Sequence, residues 1–155
     1  MTFWLLGSLA ATNVADLLPL FTPIAAGTIV LLGLRWRMNA LSLPDEEARA
    51  LGLATGPVRI AVIVAASLVT AASVAVAGII GWVGLVVPHL ARFLVGPDFA
   101  RLLPTAAILG GGYLLLIDTL ARAAAAVEIP LGILTAVIGT PFFIWLLTSA
   151  HKSWS

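Results

Sequence analysis

Ile60–Ala91 reads "IAVIVAASLVTAASVAVAGIIGWVGLVVPHLA", 32 residues without an Asp, Glu, Lys or Arg. A helix crosses the hydrocarbon of a bilayer in roughly 20 mostly apolar residues. The run is therefore too long for one upright pass. Its second part, "GIIGWVGLVVPHL", carries Gly78, Gly81, Gly84 and Pro88, residue types that break helices. The reading is one full span over residues 58–80, followed by a short, distorted span over 83–95.

Composition extends that reading to the whole chain. The 155 residues are 61% hydrophobic and only 10% charged, and the mean hydropathy is +1.14. A soluble domain carries about 25% charged residues, so the solvent of this surface is lipid. Residues 17–34 form an uncharged segment that ends at Arg35 and Arg37, and further spans are expected over 102–120 and 129–150. The expected fold is an all-α polytopic membrane protein with five transmembrane helices, in one membrane domain. The opening "MTFWLLGSLAAT" lacks a basic leader region, and Gly7 and Ser8 interrupt its apolar run, so it is not read as a signal peptide.

Charge placement orients the spans. With Arg35 and Arg37 in the cytoplasm, alternation places Arg49, Arg59, Arg92, Arg101 and Lys152 on that side as well, as the positive-inside rule requires. Arg122 alone falls outside, with Asp16, Asp118 and Glu128. This bias holds only if the short 83–95 segment crosses. Five spans then put the C-terminus inside and the N-terminus of this segment outside, and the simplest account is that the chain is the second part of a longer membrane protein.

One segment does not fit an oily chain. "LSLPDEEARALGL", Leu41–Leu53, holds Asp45, Glu46 and Glu47 side by side. Pro44 suits a first helical turn. The three acids favour the positive end of a helix dipole, and Arg49 favours the other end. Gly52 is a natural stop. Ala48 and Leu51, with Leu41 and Leu43 ahead of them, offer apolar contacts. The segment reads as a short amphipathic helix on the cytoplasmic side, either a solvated connector or a docking element for a protein. An acidic face is poorly matched to an anionic leaflet, which favours the protein partner.

The residues that would carry chemistry are missing. There is no cysteine, His89 and His151 lie far apart, and no His/Asp/Glu grouping has metal-ligand spacing. No cofactor, metal or catalytic set is expected. A net charge of +1 leaves no nucleic-acid footprint. The only lysine, Lys152, is in "AHKSW" and lacks the glycine loop of a phosphate-binding motif. His89, beside Pro88, reads as a helix-packing hydrogen bond. "AVIVAASLVTAASVAVAG" and Gly110–Gly112 supply small residues for close helix packing.

Several stretches together resemble the FecCD transport family, the permeases of ABC importers for iron-siderophores, haem and vitamin B12. They are "FWLLGSLA", "NALSLPDEEARALGL", "AGIIGWVGLVVPHLARFLVGPDFARLLP", "DTLAR" and "EIPLGILTAVIGTPFFIWLL", in the family's order. Family permeases have about ten spans, and this chain matches the last five. The resemblance implies half of a ten-helix permease that carries no ATPase of its own. It implies partnership with a cytoplasmic ABC ATPase, an extracytoplasmic substrate-binding protein and a second permease copy or paralogue; for the missing N-terminal half a truncated gene, a split subunit and an incomplete gene model all stay open. Leu41–Gly52 would be the coupling helix seated on the ATPase. Arg122, in "DTLAR", would meet acidic residues of the binding protein; alternatively it snorkels, or pairs with Asp118 four residues earlier. Thr135, Gly139 and Thr140 would line the pathway. Iron-siderophore is the expected cargo, with haem, cobalamin and oxyanions left open. A half-permease that inserts without transporting, and an intramembrane enzyme, are the competing readings.

Overall fold

The computed structural model describes residues 13–124 and 131–151. Among the described residues six helices follow one another: α1 (Val14–Ala40), α2 (Asp45–Ala50), α3 (Thr55–Ala77), α4 (Val83–Val95), α5 (Phe99–Ala124) and α6 (Leu131–His151). The fold is all-α and polytopic. Leu17–Ala40, Thr55–Ala77 and Phe99–Ala123 are long and apolar enough to cross a membrane; Val83–Val95 and Leu131–Ile144 are shorter apolar helices. At about 1.5 Å per residue the 27 residues of α1 extend about 40 Å and the 13 of α4 only about 20 Å.

The helix ends differ from those read in the sequence. The helix expected over 58–80 stops at Ala77, where Gly78 takes φ 68° and its N–H bonds the Val74 carbonyl at 2.9 Å. The chain re-enters helix at Val83. Pro88, expected to help break this region, sits inside α4. A proline removes one donor but keeps a helical φ, whereas a glycine at positive φ turns the chain out of the helix. α1 continues past Leu34 to Ala40, and α5 runs beyond both ends of 102–120. Hydropathy marks only the oily middle of a helix; backbone hydrogen bonding continues past it. Residues 129 and 130 of the last expected span lie outside the described residues.

Packing is by close approach. Gly27 of α1 is buried against α3, where a Cβ would fall 2.5 Å from Val69 Cγ2 and 2.9 Å from the Ala65 carbonyl oxygen. Val58, Ala65 and Ala72, at seven-residue spacing, are the buried positions of α3 beside Thr55. α4 lies along α5, buries Val86, Val87 and Ala91, and puts Val87 Cγ1 beside Gly110. α6 completes the bundle against α4 and α5. Ile117, Ala121 and Leu131 form the core there, with Ile80, Tyr113 and Leu134 around it. Buried apolar residues are few and small, while Leu18, Phe21, Ile60, Phe93, Ile108 and Val137 are exposed. A helix set that leaves such residues outside uses lipid or further helices as solvent. Hydroxyls inside the spans turn back on their own helices: Thr70, Ser73, Thr119 and Thr140 each donate to the carbonyl four residues earlier at 2.7 or 2.8 Å.

Candidate functional site

The acidic segment is held at both ends by backbone geometry. α1 unwinds through bonds from Leu41 N–H to the Arg37 carbonyl (3.2 Å) and from Leu43 N–H to the Ala40 carbonyl (3.2 Å). Pro44 is the N-cap, φ −52° and ψ 143°, one position earlier than the first-turn site expected for it. Its carbonyl accepts from Ala48 N–H at 3.0 Å. Asp45, Glu46 and Glu47 fill the first turn and Arg49 the last, the arrangement that suits the helix dipole. The stop is a two-bond glycine motif. Gly52 at φ 80° gives its N–H to the Arg49 carbonyl (2.9 Å), and Leu53 N–H reaches the Ala48 carbonyl (3.1 Å).

Only Ala48 of α2 is buried, at 1% exposed. Leu51 and Leu43, expected to make apolar contacts, are 71% and 39% exposed; six residues of helix bring one small side chain under cover, and Leu51 at the C-cap lies past it. Asp45 accepts from Arg59 of α3 at 2.8 Å, both side chains being about half exposed. The result is a short helix moored to α3 on one side. Glu46 and Glu47 are exposed, as are Leu43 before the helix and Leu51 after it.

Sequence reading misses Asn39. Its side-chain amide donates to Asp98 Oδ1 at 2.6 Å, and its Oδ1 accepts Phe99 N–H at 2.8 Å. Asp98 is the N-cap of α5: Oδ1 also accepts Ala100 N–H at 2.9 Å, and its carbonyl accepts Leu102 N–H at 2.8 Å. The Asn39 amide first, then the Ala100 N–H, and the Arg101 and Arg35 guanidiniums hold the Asp98 carboxyl below the usual carboxylate range, against a smaller opposing effect of desolvation. An Asp just before an apolar helix is a legible cap signal. A partner 59 residues away leaves no such trace.

These contacts gather the end of α1, α2, the start of α3 and the α4–α5 turn at one end of the bundle. Arg35, Arg37, Arg49, Arg59, Arg92 and Arg101 lie on those elements. Arg122 is in the last turn of α5, at the opposite end of that helix. Its Nε donates to Asp118 Oδ2 at 2.8 Å, with side chains 57% and 23% exposed respectively.

At the α3–α4 break, a groove of about 690 Å³ runs between that break and α6; Ile79, Trp82, Ala136, Thr140 and Pro141 are among its walls. Of the three residues expected to line a pathway, Thr140 faces this groove. Thr135 is fully buried, with its hydroxyl donating to the Gly132 carbonyl at 3.1 Å. Gly139 lies beneath the Trp82 ring, where a Cβ would fall 2.7 Å from Trp82 Cε3. Trp82 also meets Phe143 edge-on at 6.2 Å between ring centres. His89 is exposed, with Nδ1 at 2.9 Å from the Leu85 carbonyl oxygen of its own helix. Among the described residues no three His, Cys, Asp or Glu side chains come together in a metal-holding group.

Apolar helices with their charges collected at helix ends, and a short acidic helix at one end, define a polytopic membrane protein. The chain belongs to the FecCD transport family, whose model matches residues 1–149. It is 47% identical to the molybdate import system permease protein MolB of Haemophilus influenzae over 92% of this chain and 42% of that protein. It is 44% identical to the cobalamin import system permease protein BtuC of Halobacterium salinarum over 94% of this chain and 39% of that one. A solved metal-chelate type ABC transporter in an inward-facing conformation superposes with a TM-score of 0.90 and 46% identity, over 96% of this chain and 48% of that one. The chain thus spans less than half the length of the relatives it matches.

Proposed function

We propose that this chain is a membrane-spanning permease component of an ABC importer in the cytoplasmic membrane. It would work with a separate cytoplasmic ATPase, an extracytoplasmic substrate-binding protein and a second permease copy or paralogue. It would do no covalent chemistry itself. Membership of the FecCD family and the likeness to a metal-chelate type transporter support this reading. In it the arginine-bearing end faces the cytoplasm, the N-terminus of this segment lies outside and the C-terminus inside.

The observation that carries the proposal is α2. A six-residue helix with one buried residue contributes little to its own fold. Its Glu46, Glu47, Leu43 and Leu51 are nevertheless presented outward together, as a surface made for a protein partner would be. Residues 41–53 are the coupling element, and closure of an ATPase dimer would displace them and switch the access of the bundle. Arg122 is the docking residue for the binding protein, and Thr140, with Thr135 and Gly139 behind it, belongs to the pathway wall. The cargo is a metal chelate or metal oxyanion, with an iron-siderophore the first to assay.

Co-purification in detergent with the cognate ATPase tests this directly, with and without Glu46→Lys plus Glu47→Lys. Capture by the native chain and loss on charge reversal is the expected result. An ATPase that never co-purifies with a stably inserted chain would favour the alternative, a half-permease that inserts without transporting.

A further inference from the structure

The strongest feature that the functional reading leaves unused is the Asn39–Asp98 pair. Asn39 stands next to the last residue of α1, immediately ahead of the segment that carries α2. The turn that starts this segment is built on it: Ser42 Oγ donates to the Asn39 carbonyl at 2.6 Å and Ser42 N–H bonds the same oxygen at 3.3 Å. The Asn39 side chain simultaneously grips the α4–α5 turn by both of its polar atoms, donating to Asp98 and accepting from Phe99 N–H. One residue therefore joins two cytoplasmic-end loops that are far apart in sequence.

What lies beyond the grip is a short rigid helix with a glycine pivot on either side of it. α4 has 13 residues; Gly96 at φ 79° ends it, and Gly78 at φ 68° ends α3 five residues before α4 begins. Glycines in that region absorb large backbone changes without a Cβ penalty. At its far end Trp82 rests on Gly139 of α6 and against Phe143. From Asp98 the chain leads back through Gly96 into α4, whose N-cap Trp82 stands in the wall of the groove at the α3–α4 break.

We propose that the Asn39–Asp98 pair is a positioning clasp that locks the α2 segment to the α4–α5 turn, so that displacement of α2 is passed through α4 to the Trp82–Gly139 contact. The transmission half of this inference rests on the reading of α2 as the element an ATPase moves; the clasp itself does not. The chemistry allows a sharp test because the two partners can be exchanged. Asn39→Asp puts a carboxylate against a carboxylate and removes the amide donor. Adding Asp98→Asn removes one of the two facing charges and brings back an amide donor; because Asp98 Oδ1 takes both the Asn39 amide and the Ala100 N–H, the new amide must turn for its nitrogen to meet position 39 while its oxygen keeps the Ala100 N–H.

The experiment is hydrogen–deuterium exchange of the full chain in lipid nanodiscs, followed by transport per ATP hydrolysed in the assembled transporter. In Asn39→Asp the amides of residues 45–53 exchange several-fold faster, and in Asn39→Asp/Asp98→Asn they return to the native rate. Unchanged exchange in the single variant overturns the clasp whether or not any ATPase docks. In the assembled transporter, cargo moved per ATP falls about tenfold in the single variant, the scale of losing one charge-assisted hydrogen bond, and recovers in the double. General destabilisation lowers transport and hydrolysis together and leaves that ratio unchanged; an unchanged ratio overturns the transmission role. Asn39→Ala, which removes both bonds without adding charge, is the second variant: faster exchange at residues 45–53 is again expected, and native exchange there overturns the clasp. A native chain that shows the exchange pattern but captures no ATPase would sink the coupling reading while leaving the clasp intact.

Discussion

Trp82 packs so closely on Gly139 that a Cβ there would stand 2.7 to 2.8 Å from three of its side-chain atoms. This contact fixes where the break between α3 and α4 sits against α6. Gly139→Ala must push the indole aside, an overpacking change that costs about 1–3 kcal/mol. Thermal unfolding in detergent should show it. Trp82→Leu, which shortens the overlying side chain, should make the same Gly139→Ala change nearly silent; an equal loss in both backgrounds would mean that the contact is not the cause.

Gly27 and Gly33 separate packing from helix propensity on one helix. A Cβ at Gly27 meets Val69 and the Ala65 backbone, whereas at Gly33 nothing lies within 4 Å. Gly27→Ala is expected to destabilise the α1–α3 pair by about 1–3 kcal/mol. Gly33→Ala should be neutral or stabilising by up to about 1 kcal/mol, from the propensity difference between the two residues. Denaturant titration of the two variants in the same micelle decides between them; equal losses would show that α1 does not approach α3 at Gly27.

Asp98 sets an acid limit on the loops at the arginine-bearing end. Its folded-state carboxyl is held below the ordinary value, chiefly by the Asn39 amide and then by the Ala100 N–H. A depressed carboxyl contributes stability that is present above its unfolded value of about 3.9 and lost as pH falls from there through the lower folded value. Melting temperature followed downward from pH 5 should therefore drop more steeply in the native chain than in Asp98→Asn. Parallel curves for the two proteins would remove this role.

If Arg122 has the proposed docking role, Arg122→Glu should weaken docking of a substrate-binding protein, and more so at low ionic strength. Charges on the rim of an interface act mainly on the on-rate and are screened by salt. Arg122 and Asp118 form an exposed pair four residues apart, worth about 0.3–0.5 kcal/mol to the helix, so stability should hardly move. Association rates measured at two salt concentrations test the point; a rate that is unchanged at low salt would reduce Arg122 to a helix-end ion pair.

Much of this architecture is legible in one dimension. The uncharged run Ile60–Ala91 and the glycines inside it announce a helical membrane fold with a break, and Gly78 is where the chain leaves the helix. Pro44, the three acids and Gly52 bracket α2. Where sequence and structure differ, the reasons are equally local. Pro88 reads as a breaker, yet it keeps a helical φ and stays inside α4. Leu43 and Leu51 read as apolar contacts, yet a helix as short as α2 buries only Ala48.

The sequence by itself determined what depends on solvent and on local backbone chemistry: which segments are oily enough for lipid, where glycine ends a helix, which end of a helix takes acids and which takes bases. Only the tertiary structure decided that Asn39 holds Asp98, that Trp82 covers Gly139, and that Gly27 admits Val69 and Ala65. Those pairings depend on how whole helices cross and on their relative rotation. Both are set by the summed packing of many side chains, which residue spacing along a single helix does not encode.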